Sequence, residues 1–198
     1  MLKIFSDMLI TVLYAAAVQN LVFTASYGLS ESIRTAKRPR HFFMYGITVT
    51  VFCTLSSTAS ALLIKIPFIA AMPIKFSYVL FIICLSLIYL LAALLCKKVL
   101  NADKKFLNSL SMCAFNSLVA ALPGINLKAG STFMNSLALG IGAGLAFVIS
   151  LVLINNGMRH INKNPHIPEF FKGTPALFIY VSLIALALSC VSGESLFI

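Results

Sequence analysis

Apolar residues in this chain come in long runs, from about Met8 to Tyr27, Phe42 to Ile64, Phe76 to Cys96, Phe106 to Leu122, Phe133 to Ile154 and Pro175 to Val191. Neither the alternation of a half-buried strand nor the single stripe of an amphipathic helix is what repeats. The repeat is a length, roughly 17–23 residues, which carries a helix across about 30 Å of hydrocarbon. The pattern predicts an all-α integral membrane protein of six transmembrane helices, the fourth and sixth at the lower limit of length. No linker or repeat of domain size interrupts the runs, so residues 1–198 are expected to form one six-span domain. The first run follows a lysine, as a signal peptide would. It continues through Gln19 and Asn20 to Tyr27 without a convincing cleavage site, however, and is expected to be retained as a span.

Polar residues inside the runs are few, and they mark the candidate site. Asn20 in the first span and Asn116 in the fourth occupy similar places in two halves of three spans each. An odd number of spans per half requires the second half to be inverted relative to the first, the arrangement of membrane proteins whose sites lie where discontinuous helices meet. Helices 1 and 4 are therefore expected to be discontinuous. In the fourth span, Cys113 lies beside Asn116 in a segment that is expected to close at the helix-breaking pair Pro123 and Gly124. Both amides also read as ordinary hydrogen-bonding partners of neighbouring helices, and Cys113 as a small hydrophobe in helix packing.

Composition excludes a soluble domain. Sixty per cent of the residues are apolar, 10% are charged and the mean hydropathy is +1.00, a surface that water would not tolerate. Any chemistry must lie within the bilayer or at its faces. The charges then orient the spans. Of 15 basic residues, 11 fall in the first, third and fifth loops: Arg34, Lys37, Arg38 and Arg40; Lys97, Lys98, Lys104 and Lys105; Arg159, Lys163 and Lys172. The positive-inside rule places these loops in the cytoplasm and both termini outside, as expected for a multi-pass protein of the bacterial cytoplasmic membrane. The net charge of +10 is thereby accounted for by topology and anionic lipid, with no nucleic-acid partner. All five acids (Asp7, Glu31, Asp103, Glu169 and Glu194) lie at span ends or in loops. With no carboxylate at mid-membrane, the chain does not look like a self-sufficient ion pump.

Remaining motifs add less. Five cysteines without a C-x-x-C pair argue against a disulfide framework. Cys84 and Cys96 are about 18 Å apart along one helix and cannot share a metal. His41, His160 and His166 sit in basic loops, where lipid headgroups are better company than metal. The G-x-x-x-G of Gly140 and Gly144 and the small residues Ser56, Ser57, Ala59, Ser60 and Ala61 would let helix backbones approach closely.

The order of these features resembles the six-span membrane subunits shared by Rnf electron-transport complexes and the sodium-translocating NADH:quinone oxidoreductase. Asn20, followed after an aliphatic run by Tyr27-Gly28-Leu29-Ser30, is similar to the family's Asn and Leu-Gly-hydrophobic-Cys at the same spacing, with serine at the cysteine position. Met112-Cys113-Ala114 resembles the fourth-span Asn-Cys without its Asn. Ile167-Pro168-Glu169-Phe170-Phe171-Lys172-Gly173 resembles the family's Val-Pro-x-x-Phe/Leu-Arg-Gly, the most specific local match, and the last span ends at Ser192-Gly193. Both termini outside is the orientation expected of the A-type subunit.

The resemblance implies a heterodimer with a homologous E-type membrane subunit, joined by the other subunits of such a complex, and one [2Fe-2S] cluster held by two cysteines from each. Electrons would cross the membrane through it, linked to sodium or proton translocation. On this chain Cys113 falls at the fourth-span ligand and Ser30 at the first-span ligand, where an alkoxide is a poor substitute for thiolate. The acid that the family tends to have late in span 3 is replaced by Ala92 or Ala93. The cluster is thus either retained, through Cys113 as an iron ligand, Ser30 or another thiol, or lost in this chain. Two other readings stand beside the A-type one: a cofactor-free structural paralogue, and a small secondary transporter of 3+3 inverted architecture with a site lined by Asn20, Asn116 and Ser30.

Overall fold

The computed structural model describes residues 2–37, 42–70, 72–99 and 101–192. Arg38, Arg40 and His41 of the first basic loop, and Gly193 and Glu194 near the C-terminus, lie outside them. The described residues are helical, without strands. In chain order the helices are α1 (Leu2–Leu13), α2 (Leu21–Thr24), α3 (Leu29–Ala36), α4 (Phe42–Ile64), α5 (Pro67–Ala70), α6 (Ile74–Val99), α7 (Lys104–Ala114), α8 (Ser117–Ala129), α9 (Phe133–Lys163) and α10 (Thr174–Ser192). A π-helical turn, Tyr14–Val18, prolongs α1 towards α2.

Five segments among these are long and apolar enough to cross a membrane: α4, α6, α7 with α8, α9 and α10. The first span is built from pieces instead, α1 and its π turn up to Gln19, then α2 and α3. Spans 1 and 4 are thus both discontinuous, and they occupy the same place in the two halves of the chain. At 31 residues α9 is about 46 Å long, more than the hydrocarbon core needs. Its last turns, with Arg159 and Lys163, extend the fifth span beyond Ile154.

The core lies where α4, α8 and α9 meet, around Val49, Phe52, Cys53, Leu118, Leu122, Leu139, Phe147 and Leu151. Two glycines permit it. A methyl group on Gly140 would stand 2.7 Å from the Thr54 Cα, and one on Gly144 would stand 2.6 Å from the Thr50 Cα. The G-x-x-x-G therefore serves packing within the chain, α9 on α4, while Gly142 on another face of α9 lies against Val12 and Ala15 of the first span. By contrast α6 and α10 are only 11% buried along their spans and turn leucines such as Leu87, Leu91, Leu183 and Leu186 outward. Such outward faces suit lipid or a neighbouring membrane protein.

One expectation is corrected. Pro123 and Gly124 do not close the fourth span: both are buried inside α8, which runs on to Ala129. Proline removes the amide that would bond the carbonyl four residues earlier, and a helix in lipid tolerates this only where another group takes that carbonyl. Ser56 of α4 does so, its Oγ donating to the Val119 carbonyl at 3.0 Å. The break comes earlier, at Phe115 and Asn116.

Candidate functional site

Both interruptions use the same local device. Asparagine side chains readily cap a helix by accepting from a backbone amide two residues on. Asn20 Oδ1 accepts from the Val22 amide at 3.1 Å and Asn116 Oδ1 from the Leu118 amide at 3.1 Å, each from an extended backbone. Both residues are 1% exposed.

Their surroundings differ. Asn20 is tied to the fifth span: its Nδ2 donates to the Ala146 carbonyl at 3.1 Å and its Oδ1 accepts from Ser150 Oγ at 3.3 Å. Asn116 Nδ2 is buried without a hydrogen-bond partner. What lies against Asn116 is Gly28, at a left-handed φ of +74°, where a side chain would meet the Asn116 Oδ1 at 2.8 Å. The Gly28 amide donates to Ser117 Oγ at 2.8 Å, which fastens the restart of the first span onto the restart of the fourth.

Cavities approach the Asn116 break from both ends. One of about 680 Å³ opens at the basic end of the bundle and reaches Cys113; Glu31, Arg34, Tyr45, Met112 and Lys105 contribute to its lining. Another, of about 300 Å³, starts at Ser117 on the far side of the break and is lined by Tyr27, Tyr78, Gly124 and Lys128. At the floor of the larger one the Cys113 thiol lies against the Tyr45 hydroxyl. That hydroxyl is 3.3 Å from the Met112 carbonyl and 3.5 Å from Glu31 Oε2, and Arg34 Nη1 is 3.7 Å from Glu31 Oε1.

The residues singled out by sequence therefore divide. Cys113, 1% exposed, and Asn116 flank the break in the fourth span; Asn20 makes the break in the first. Ser30 is exposed on α3 and does not line the Cys113 cavity, whereas its neighbour Glu31 does. Ala92 and Ala93 are half-buried against the core. Sequence reasoning passed over Glu31 and Tyr45. Only the i, i+3, i+4 spacing of Glu31, Arg34 and Thr35, which share the cavity, could have pointed there. It also missed a polar link between spans, in which Asn126 Nδ2 donates to Ser57 Oγ and Ser60 Oγ, both at 2.9 Å.

A family model described as Rnf-Nqr subunit, membrane protein, matches residues 8–194. The chain belongs to the Rnf-Nqr family. It is 28% identical over 183 residues to the A-type subunit of the ion-translocating oxidoreductase complex of Aromatoleum aromaticum, covering 91% of this chain and 94% of that protein. To the A-type subunit of the proton-translocating ferredoxin:NAD(+) oxidoreductase complex of Clostridium ljungdahlii it is 27% identical over 182 residues, 90% of this chain and 93% of that one. The A-type subunit of the Na(+)-translocating ferredoxin:NAD(+) oxidoreductase complex of Acetobacterium woodii is 24% identical over 186 residues, 92% and 95% of the two chains.

Family resemblance implies a half-site of two thiolates for a shared [2Fe-2S] cluster. The donor set does not match it. One buried thiol, Cys113, lines the cavity that opens at the basic end, and the second position is an exposed hydroxyl. Among the described residues no three His, Cys, Asp or Glu side chains are grouped so as to hold a metal ion.

Proposed function

We propose that this Rnf-Nqr chain is the A-type membrane subunit of an ion-translocating electron-transport complex, paired with a homologous E-type subunit in the bacterial cytoplasmic membrane, both termini outside. The observation that carries the reading is the match along nearly the whole length of relatives that are each named as the A-type member of such a complex. Two broken spans at equivalent places and the basic residues gathered at one end support it. Both fit a pair of inverted homologues that pack around a common centre. Within the pair this chain acts as scaffold and lines the ion path, and it does not furnish two thiolates to a cluster.

The test is anaerobic purification of the tagged chain in mild detergent, with identification of co-purifying chains and assay of iron and acid-labile sulfide beside a Cys113→Ala control. The expected result is a homologous membrane partner together with further members of the complex, and iron in the membrane pair indifferent to Cys113→Ala. Iron lost in that variant would overturn the cofactor-free reading. A lone homodimer that moves solute after reconstitution would overturn the assignment to a complex and favour a transporter.

A further inference from the structure

Charges of both signs line the 680 Å³ cavity at the basic end. Among the described residues they are Glu31 and Arg34 on α3, Asp103 at the start of α7 and Lys105 in its first turn. Two carboxylates and two cations cancel, so the cavity as a whole favours neither a simple anion nor a simple cation. The four are only weakly engaged with one another. Arg34 Nη1 meets Glu31 Oε1 at 3.7 Å and its Nη2 meets Met112 Sδ at 3.5 Å, which leaves most of its five N–H donors without a partner among the described residues. Asp103 makes no side-chain cap bond to α7, and neither it nor Lys105 enters an ion pair among the described residues.

These charges stand at two depths. Met112, which the Arg34 side chain touches, is seven residues along α7 from Lys105, so Glu31 and Arg34 lie about 10 Å farther in than Asp103 and Lys105. Beside the inner pair the exposed lining is apolar: Met44 of α4 is 63% exposed and Met112 is 42% exposed. Apolar surface at the end of a membrane span suits hydrocarbon, not water. The volume falls in the range of about 300–1,000 Å³ that holds a small molecule. A soluble ion would match the charges alone, whereas a membrane lipid matches the charges and the apolar wall together.

We propose that this cavity holds the headgroup of one zwitterionic phospholipid of the phosphatidylethanolamine class, its phosphate against Arg34 and Lys105, its ammonium against Asp103, and its acyl chains leaving past Met44 and Met112 into the bilayer. Glu31 tethers the arginine and leaves its remaining donors for the phosphate. A primary ammonium offers three donors to the outer carboxylate, which a neutral headgroup such as glycerol cannot replace in charge. The lipid then joins α3 to the start of α7. The proposal does not rest on the assignment to an electron-transport complex.

Photo-crosslinking tests this on the chain purified with its partners, using phosphatidylethanolamine or phosphatidylglycerol that carries a diazirine near the start of one acyl chain, with the labelled peptides mapped by mass spectrometry. Labelling is expected within residues 44–48 and 106–112, about fivefold stronger for phosphatidylethanolamine, the scale of one charge at a membrane surface. Asp103→Lys should abolish that preference and raise labelling by phosphatidylglycerol, a gain that no folding defect produces, and Arg34→Gln should lower labelling by both. Equal labelling by the two lipids in the parent, which marks an annular lipid only, labelling confined to other segments, or a preference unchanged in Asp103→Lys would each overturn the proposal. So would protection by soluble glycerophosphoethanolamine equal to that by unlabelled phosphatidylethanolamine, which would assign the cavity to a water-soluble phosphoester.

Discussion

Asn20 and Asn116 make the same cap but should carry unequal shares of stability. Asn20→Ala removes the cap bond to the Val22 amide, worth about 1 kcal/mol. It also removes two bonds to the fifth span, to the Ala146 carbonyl and from Ser150 Oγ, at roughly 0.6 kcal/mol each for interhelical bonds in a membrane. The loss is therefore about 2 kcal/mol. Asn116→Ala loses only the bond from the Leu118 amide and at the same time deletes a buried, unpartnered Nδ2. Relief of that donor is worth about 1 kcal/mol, so the net change is close to zero. The chain has no tryptophan, so unfolding by sodium dodecyl sulfate in mixed micelles is best followed by far-ultraviolet circular dichroism. The expected order is Asn20→Ala well below the parent and Asn116→Ala near it. Equal losses, or a larger loss in Asn116→Ala, would refute the view that Asn20 anchors the fold while Asn116 is held by its cap alone.

Two further outcomes are expected. Ser56→Ala strands the Val119 carbonyl opposite Pro123 and should cost about 1 kcal/mol. Combined with Pro123→Ala, which restores an amide to that carbonyl, it should cost much less, and additive losses in the same unfolding assay would show that Ser56 does not stand in for the missing amide. A membrane-impermeant thiol reagent applied to intact cells should label a cysteine introduced at Lys128 and fail to label one at Lys37 or Lys104; the reverse pattern would turn the chain over in the membrane and remove the A-type orientation.

Much of the fold was legible because lipid imposes few solutions. Long apolar runs must be helices, and asparagine inside one must either bond across helices or cap a break; here both happen, at Asn20. Gly140 and Gly144 were legible as a close-packing face, although the partner, α4 at Thr50 and Thr54, was not. Pro123 misled because its consequence depends on a hydroxyl 67 residues earlier, Ser56, which no local pattern reveals. The first span was cut short at Tyr27, where the apolar run ends. In the structure the chain passes through the left-handed Gly28 and resumes as α3, which brings Glu31 into the cavity and leaves Ser30 exposed. Adjacent residues on a helix point about 100° apart, so a site argued from Ser30 by alignment and one found at Glu31 by geometry are different sites.

That difference bears on how the two halves divide their work. The first break is locked, since Asn20 is bonded to both Ala146 and Ser150 and Gly142 packs against Val12 and Ala15 beside it. Around the second break the fixed contacts are fewer: one cap bond, one bond from Gly28 to Ser117, and a donor with nothing to hold. Cavities come up to this second break from both ends of the bundle, reaching Cys113 from one end and Ser117 from the other, four residues on. Along the chain the two cavities are separated by Ala114, Phe115 and Asn116, the break itself. A chain that fixes its first break through Asn20 and leaves an unpaired amide at the second has kept its freedom between the two cavities.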